Sequence, residues 1–179
     1  KSENLNLGKL LGDSKFGHVQ FNVDLEGFNY NDKYPESYIK GIVSSFDYSG
    51  YRYENISLDG IYKDGGFNGH LALDDENGKV RIDGSFNIAK KISDFNLYAT
   101  IQNLRLDKLN LSDKYIDSDI SFNLNADFTG SSIDDVNGRI LLDSLVLNAP
   151  QDKGYSLDNL TITAGKVGGE KEIQILSPF

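Results

Sequence analysis

Cysteine, methionine and tryptophan are absent from this 179-residue chain, and proline occurs only three times. Without cysteine there is no disulfide framework, no thiolate zinc site and no thiol nucleophile. That absence suits the cytosol and equally a compartment where disulfides are unnecessary. No apolar run approaches the ~20 residues of a membrane span, and no charged-then-apolar secretion signal opens the chain. Basic clusters are missing too, the longest run being Lys90-Lys91. With 18 Lys and Arg against 27 Asp and Glu, the formal net charge is -9. A phosphate footprint needs clustered Lys and Arg, so these totals argue against nucleic acid as a partner. The chain starts at Lys1 and contains no Met, and we read it as a piece of a longer or processed protein.

Present in quantity are 18 Gly, 10 Tyr and 10 Phe, within 39% hydrophobic residues. This is enough apolar surface for an ordered core. Its arrangement has period two. Val19, Phe21, Val23 and Leu25 alternate with Gln20, Asn22 and Asp24. The same alternation runs through Phe67–Leu73, Val80–Ile88, Phe95–Ile101 and Ile120–Phe128, each a strand with one apolar and one polar face. Shorter candidates are Tyr38–Asp47, Ile56–Tyr62, Arg139–Leu147, Leu157–Thr163 and Glu172–Leu176. The one helical candidate, Leu5–Leu11, is short and Gly-flanked, so it reads as a turn or edge segment. The class is all-β.

An internal repeat is also legible. LNLGKLLGDSKF (Leu5–Phe16) lies beside LRLDKLNLSDKY (Leu104–Tyr115), with Leu, Leu, Lys, Leu and the later Lys identical. FNVDLEG (Phe21–Gly27) rhymes with LNADFTG (Leu124–Gly130), and YENISLDG (Tyr53–Gly60) with LDNLTITAG (Leu157–Gly165). The order is kept, so we divide the chain into a first β unit, 1–103, and a truncated second unit, 104–179. Stacked units of this kind make an elongated object in which each buries a face against its neighbour.

Motifs for chemistry are weak. DDENG within GFNGHLALDDENGKVRIDGSF (Gly66–Phe86) suggests a calcium loop. With Gly78 at position 6, however, Leu73 takes position 1 and Gly84 position 12, where oxygen ligands are required. IDDVNG (Ile133–Gly138) fails in the same way. Asn77-Gly78 instead offers the φ > 0 pair of a two-residue hairpin turn, with the acidic neighbours solvated. His18 and His70 sit on the polar phase of their strands, without zinc-ligand spacing. No G-x-S-x-G elbow or phosphate-cradling loop occurs. Asp74/Asp75, Asp117/Asp119 and Asp134/Asp135 are the carboxyl pairs on which glycoside hydrolysis would depend. No catalytic residue, metal or cofactor is expected.

The apolar stripe has two readings. One is the closed core of a β-sandwich, structural or adhesive, with a protein or glycan partner. The other is a curved sheet whose inner face stays open as a groove for acyl chains, each buried CH₂ contributing ~0.8 kcal/mol.

The run GYRYENISLDGIYKDGGFNGHLALDDENGKVRIDGSFNI (Gly50–Ile88) resembles the TamB family of translocation and assembly module proteins, related to the AsmA-like group. FTGSSIDDVNGRILLDSLVL (Phe128–Leu147) does so too, and LNLGKLLGD and LRLDKLNLSD resemble that family's inter-repeat connectors. The resemblance implies an elongated, taco-like and mostly antiparallel sheet with an apolar groove. It implies a location in the periplasm of a diderm bacterium, with an inner-membrane tether on the full-length protein. The implied function is non-enzymatic: conducting phospholipid between the membranes and supporting outer-membrane biogenesis and protein assembly. Implied partners are phospholipid acyl chains and, through the full-length chain, an outer-membrane barrel protein; exposed end strands are expected to let this fragment self-associate. Carried onto this chain, the lipid-facing positions are Val19, Phe21, Val23, Phe67, Leu71, Val80, Ile82, Phe86, Phe95, Leu97, Ile101, Ile120, Phe122, Leu124 and Phe128.

Overall fold

The computed structural model describes residues 1–28, 36–87, 91–132, 135–150, 153–168 and 170–177, and no side chain is described at 28, 166 or 167. Ile88, Lys90, Ile133 and Asp134, which entered the motif reading, lie outside the described residues.

The alternating stretches form long strands. They are β1 (Ser2–Asn6), β2 (Phe16–Phe28), β3 (Glu36–Tyr48), β4 (Tyr51–Lys63), β5 (Gly66–Asp75) and β6 (Gly78–Asn87). After these come β7 (Asp94–Leu104), β8 (Asp119–Thr129), β9 (Asn137–Asn148), β10 (Tyr155–Val167) and β11 (Glu170–Leu176). Each pairs antiparallel with its sequence neighbour, giving one eleven-stranded sheet in the order β1 to β11. The sheet is not closed: among the described residues β1 pairs only with β2 and β11 only with β10. Among the described residues, substantial contacts between strands follow this neighbour order, with no second layer across the apolar face. The closed-sandwich alternative is therefore overturned. Its accessible surface of 11832 Å² exceeds the about 8,700 Å² expected of a compact monomer of this mass, as a single open layer requires. Ten inter-strand steps of ~4.8 Å make the sheet about 48 Å from edge to edge.

Local chemistry sets the turns. Ser49-Gly50 and Asp64-Gly65 have both central φ values positive (49° and 80°, 48° and 74°), as a type I′ hairpin demands. Asn77-Gly78 does not play this role. Asp75 pairs with Gly78, so the loop residues are Glu76 and Asn77, and Asn77 is not among the positive-φ residues. The Asp75 carboxylate fixes this loop by accepting the Asn77 N–H at 2.9 Å.

Leu7–Leu11 is a true helix, α1, correcting the turn reading. Asn6 caps it by accepting the Lys9 N–H at 2.8 Å, and Gly12, at φ 72°, closes it with an N–H to the Gly8 carbonyl. Its repeat counterpart between β7 and β8 is a hydrogen-bonded turn and not a helix, closed by Leu109 N–H to Arg105 O at 3.0 Å and Leu111 N–H to Leu106 O at 2.8 Å. The expected unit boundary near Asn103 falls at the end of β7, and hydrogen bonding continues from β7 to β8 across it.

Bulges line one margin of the sheet. Val19 and Phe21 share a face of β2, yet they oppose Phe46 and Val43, which are three residues apart. The phase of β3 therefore shifts, and β4 shifts with it at Asn55, whose φ is 55°. Asn103 (φ 49°) does the same in β7 and Ser144 (φ 54°) in β9. A bulge bends a strand and increases its twist, so this margin curls while its apolar side chains keep to one face.

Candidate functional site

One face of the sheet is apolar in successive cross-strand rows. The first runs Phe21, Val43, Ile56, Leu73, Val80, Ile101, Phe122. The second runs Val23, Gly41, Leu58, Leu71, Ile82, Ala99, Leu124, Leu142, Leu160. The third is Leu25, Ile39, Gly60, Gly69, Gly84, Leu97, Ala126, Ile140, Ile162, Ile175. Beyond it lies an aromatic ladder, Phe67, Phe86, Phe95, Phe128, with ring centroids 5.8 Å apart in the first pair and 4.6 Å in the stacked last pair. Aromatic pairs at such distances add to the area they bury.

The glycines of these rows sit where the neighbouring backbone leaves no room for a Cβ. A Cβ at Gly69 would stand 2.2 Å from the Asp59 carbonyl and 2.5 Å from the Gly60 Cα; one at Gly84 would be 2.7 Å from the Leu97 Cα. Strand backbones thus close in on the apolar side, and only residues without a Cβ fit where they do. Above Gly69 and Gly84 an apolar cavity of about 270 Å³ opens, walled by Phe67, Leu71, Ile82, Phe86, Phe95 and Leu97. The fifteen residues expected to line a groove all lie on this face, half-buried except for Val19 and Ile101, which are buried.

Strict alternation missed part of the face. The bulges bring in Phe46, Tyr53, Leu104 and Leu147, which a strict period of two assigns to the other side. Phe16, Phe46, Tyr48, Tyr51 and Tyr53 form a chain of ring contacts at 4.8 to 6.3 Å along the bulged margin. The legible signal was Asn at 55 and 103, a residue that tolerates positive φ inside an otherwise alternating run. The connector folds over this margin: the Tyr53 hydroxyl donates to the Leu109 carbonyl at 2.9 Å, and Leu109 is 0% exposed.

The opposite face is polar. A ladder of acidic and basic residues runs Asp24, Lys40, Asp59, His70, Asp83. Asp59 accepts from the Tyr38 hydroxyl at 2.6 Å and pairs with Lys40 at 2.9 Å, and these donors hold its carboxyl below the usual range. His70 pairs with Asp83, and both histidines are exposed.

The acidic turn is only partly solvated. Asp74 is exposed with Lys79 at 2.9 Å, but Asp75 is 5% exposed, a correction to the sequence reading. It accepts from the Tyr51 hydroxyl at 2.5 Å and the Glu54 N–H at 3.1 Å. Burial first, and then this hydrogen bond, push the Tyr51 hydroxyl up to about 12. Asp74 and Asp75, being adjacent in a strand, point to opposite faces. Asp117 pairs with Lys108 at 3.2 Å while Asp119 accepts from Asn148 at 2.9 Å, so these two are engaged separately. Among the described residues no group of three or more His, Asp or Glu side chains is placed to hold a metal ion.

The site is therefore a long apolar trough with a glycine floor, backed by a polar face that carries hollows of its own, one of about 620 Å³ beside Lys40, Asp59 and His70. No protein-family model matches the chain, and no curated protein or solved structure is significantly similar to it.

Proposed function

We propose that this chain is a non-enzymatic, lipid-conducting segment of a TamB-like envelope protein, with acyl chains lying in the apolar trough. The observation that carries the reading is the open apolar face itself. A water-soluble protein seldom leaves a contiguous apolar surface of this extent without an apolar occupant. The magnitudes are adequate. The cavity above Gly69 and Gly84, about 270 Å³, has room for about nine groups at ~30 Å³ each. Nine methylenes at ~0.8 kcal/mol are worth ~7 kcal/mol before the cost of ordering the chain. That sum needs no polar contact, so a lipid held this way can slide from row to row without breaking a specific bond.

In this reading the full-length protein spans the periplasm of a diderm bacterium from an inner-membrane tether. Phospholipid head groups stay in water above the trough, and an outer-membrane barrel protein is the partner at the far end. The resemblance in Gly50–Ile88 and Phe128–Leu147 motivates these parts. Carbohydrate chemistry has less support, because neither Asp74/Asp75 nor Asp117/Asp119 converges on a common cleft.

The test is site-specific photo-crosslinking in cells carrying the full-length protein. A crosslinker at Phe86 or Phe122 should capture phospholipid, and one at His70, on the polar face, should not. Equal labelling at the three positions, or none, refutes lipid conduction through this trough.

A further inference from the structure

The connector between β7 and β8 does more than join two strands. It leaves the end of β7, runs back over the ends of β3 to β6 and returns to β8, a compact loop with neighbouring ends. Three hydrogen bonds pin it to the bulged margin. Arg105 donates its N–H to the Asn77 carbonyl at 2.9 Å, the Asn110 amide donates to the Ser49 carbonyl at 3.2 Å, and the Tyr53 hydroxyl donates to the Leu109 carbonyl at 2.9 Å. Leu109 is wholly enclosed, and Tyr53, Asp75 and Ile101 on the same margin are buried.

The connector is also braced within itself. The Leu111 and Ser112 N–H groups both donate to the Leu106 carbonyl, and the Asp117 N–H donates to the Asp107 carboxylate at 3.0 Å. Lys108 ties the two limbs together, 3.4 Å from Asp107 and 3.2 Å from Asp117. To lift away, this loop would have to break its three anchors and expose Leu109 together. Segments that move in function come from the loosely packed parts of a fold, and this one is tightly packed.

The roomy part of the trough is displaced away from it. The cavity above Gly69 and Gly84 is walled by Leu71 and Ile82 of the second row, Leu97 of the third and the aromatic ladder. It takes in neither Leu73 nor Val80 of the first row, the row nearer the connector.

We infer that the connector is a fixed side wall of the trough and not a lid. It keeps acyl chains that cross β4 to β7 in the lane over the second and third rows and the aromatic ladder, and shuts the bulged margin to them. The inference rests on lipid occupying the trough, and it adds where in the trough the lipid runs.

Photo-crosslinking in cells carrying the full-length protein tests it, with a photoreactive phenylalanine at Phe86 or at Phe46. Phe46 is half-buried on the bulged margin, one ring away from Tyr53. The Phe86 probe should capture phospholipid. The Phe46 probe should capture none and should link to the connector instead, an adduct that also shows this margin to be folded. A second arm locks the connector in place by joining Ser49→Cys and Asn110→Cys, neighbours across the anchor, with a short bismaleimide. Locking should leave phospholipid capture at Phe86 unchanged. Phospholipid at Phe46, or no link from Phe46 to the connector, overturns the wall while lipid conduction stands. Loss of capture at Phe86 on locking does so too, and makes the connector a lid. No phospholipid at Phe86 even in the unlocked protein refutes lipid conduction itself, and the wall with it.

Discussion

Replacing Gly84 by alanine tests whether the neighbouring backbone leaves no room for a Cβ there. Gly84 has φ 135°, and an added Cβ would lie 2.2 Å from the Asn96 carbonyl oxygen and 2.7 Å from the Leu97 Cα. Both obstacles are backbone, so no side chain can swing away. The backbone conformation costs an L-residue ~1–3 kcal/mol, and forcing an atom into a packed place costs ~1–3 kcal/mol more. The sum, ~2–6 kcal/mol, is a large share of the ~5–15 kcal/mol that usually holds a domain together. Two controls separate these terms. Gly12 has φ 72° but nothing within 4 Å of the added Cβ, so Gly12→Ala should cost ~1 kcal/mol from conformation alone. Gly165 meets only the Asn137 side-chain oxygen, at 3.5 Å, so Gly165→Ala should be neutral or stabilise by ~0.4–1 kcal/mol through the unfolded chain. Urea unfolding followed by far-ultraviolet circular dichroism gives all three, with the slope checked for unchanged exposure. If Gly84→Ala falls within ~1 kcal/mol of Gly165→Ala, the account of a crowded backbone is wrong.

Other consequences are open to measurement. Leu109→Ala should destabilise by ~2–4 kcal/mol in the same urea titration, since Leu109 is wholly buried in an otherwise open sheet. Tyr53→Phe should cost ~1 kcal/mol, the worth of one hydrogen bond to a buried carbonyl. Tyr51, pushed up to about 12 by burial and Asp75, should stay neutral in the folded protein where an unfolded tyrosine ionises near ~10. The stability it confers is thus present below pH ~10 and is lost as pH rises towards about 12, and a Tyr51→Phe protein should lack this part of the alkaline decline. Asp47 is held below the carboxylate range chiefly by the Arg52 hydrogen bond, and Asp135 by the Ser132 and Ser131 N–H groups. Their contributions should be complete above pH ~4 and fade as acid drives the pH down through the folded values. Asp47→Asn and Asp135→Asn should therefore flatten the acid limb of the stability curve, and an unchanged limb would refute the assignment.

Much of this architecture is readable before folding. Phe21, Leu71, Ile82 and Leu124 announce the apolar face because a pleated strand turns alternate side chains to one side. The reading failed where the backbone departs from regular extension. At Asn55, Asn103 and Ser144 a residue at positive φ resets the phase, so Tyr53 and Leu104 join the apolar side against the pattern. The turn in DDENGK was misplaced by one residue because Asp75, read as solvated, is drawn in by Tyr51 and fixes the loop on Glu76 and Asn77. That partner is 24 residues away in sequence, and no local rule anticipates it. The helix at Leu7–Leu11 is shorter than pattern alone supports, and it forms because its two caps satisfy groups that so short a helix would otherwise leave unpaired.

The sequence by itself determined the class and the polarity of the two faces. Alternation specifies strands, short turns make sequence neighbours pair, and a shift of one residue would turn every apolar side chain to water. Whether that apolar face closes on itself or stays open was beyond it, since a sandwich and a trough share the same period. Tertiary structure decided this through contacts between distant residues. Gly60, Gly69 and Gly84 fall side by side only once the strands are in register, where the neighbouring backbones leave no room for a Cβ. The aligned bulges then curl one margin over, and Leu109 finds its seat beside Tyr53 across 56 residues of chain. Among the described residues no second sheet covers what is left, so the apolar face stays open as a trough.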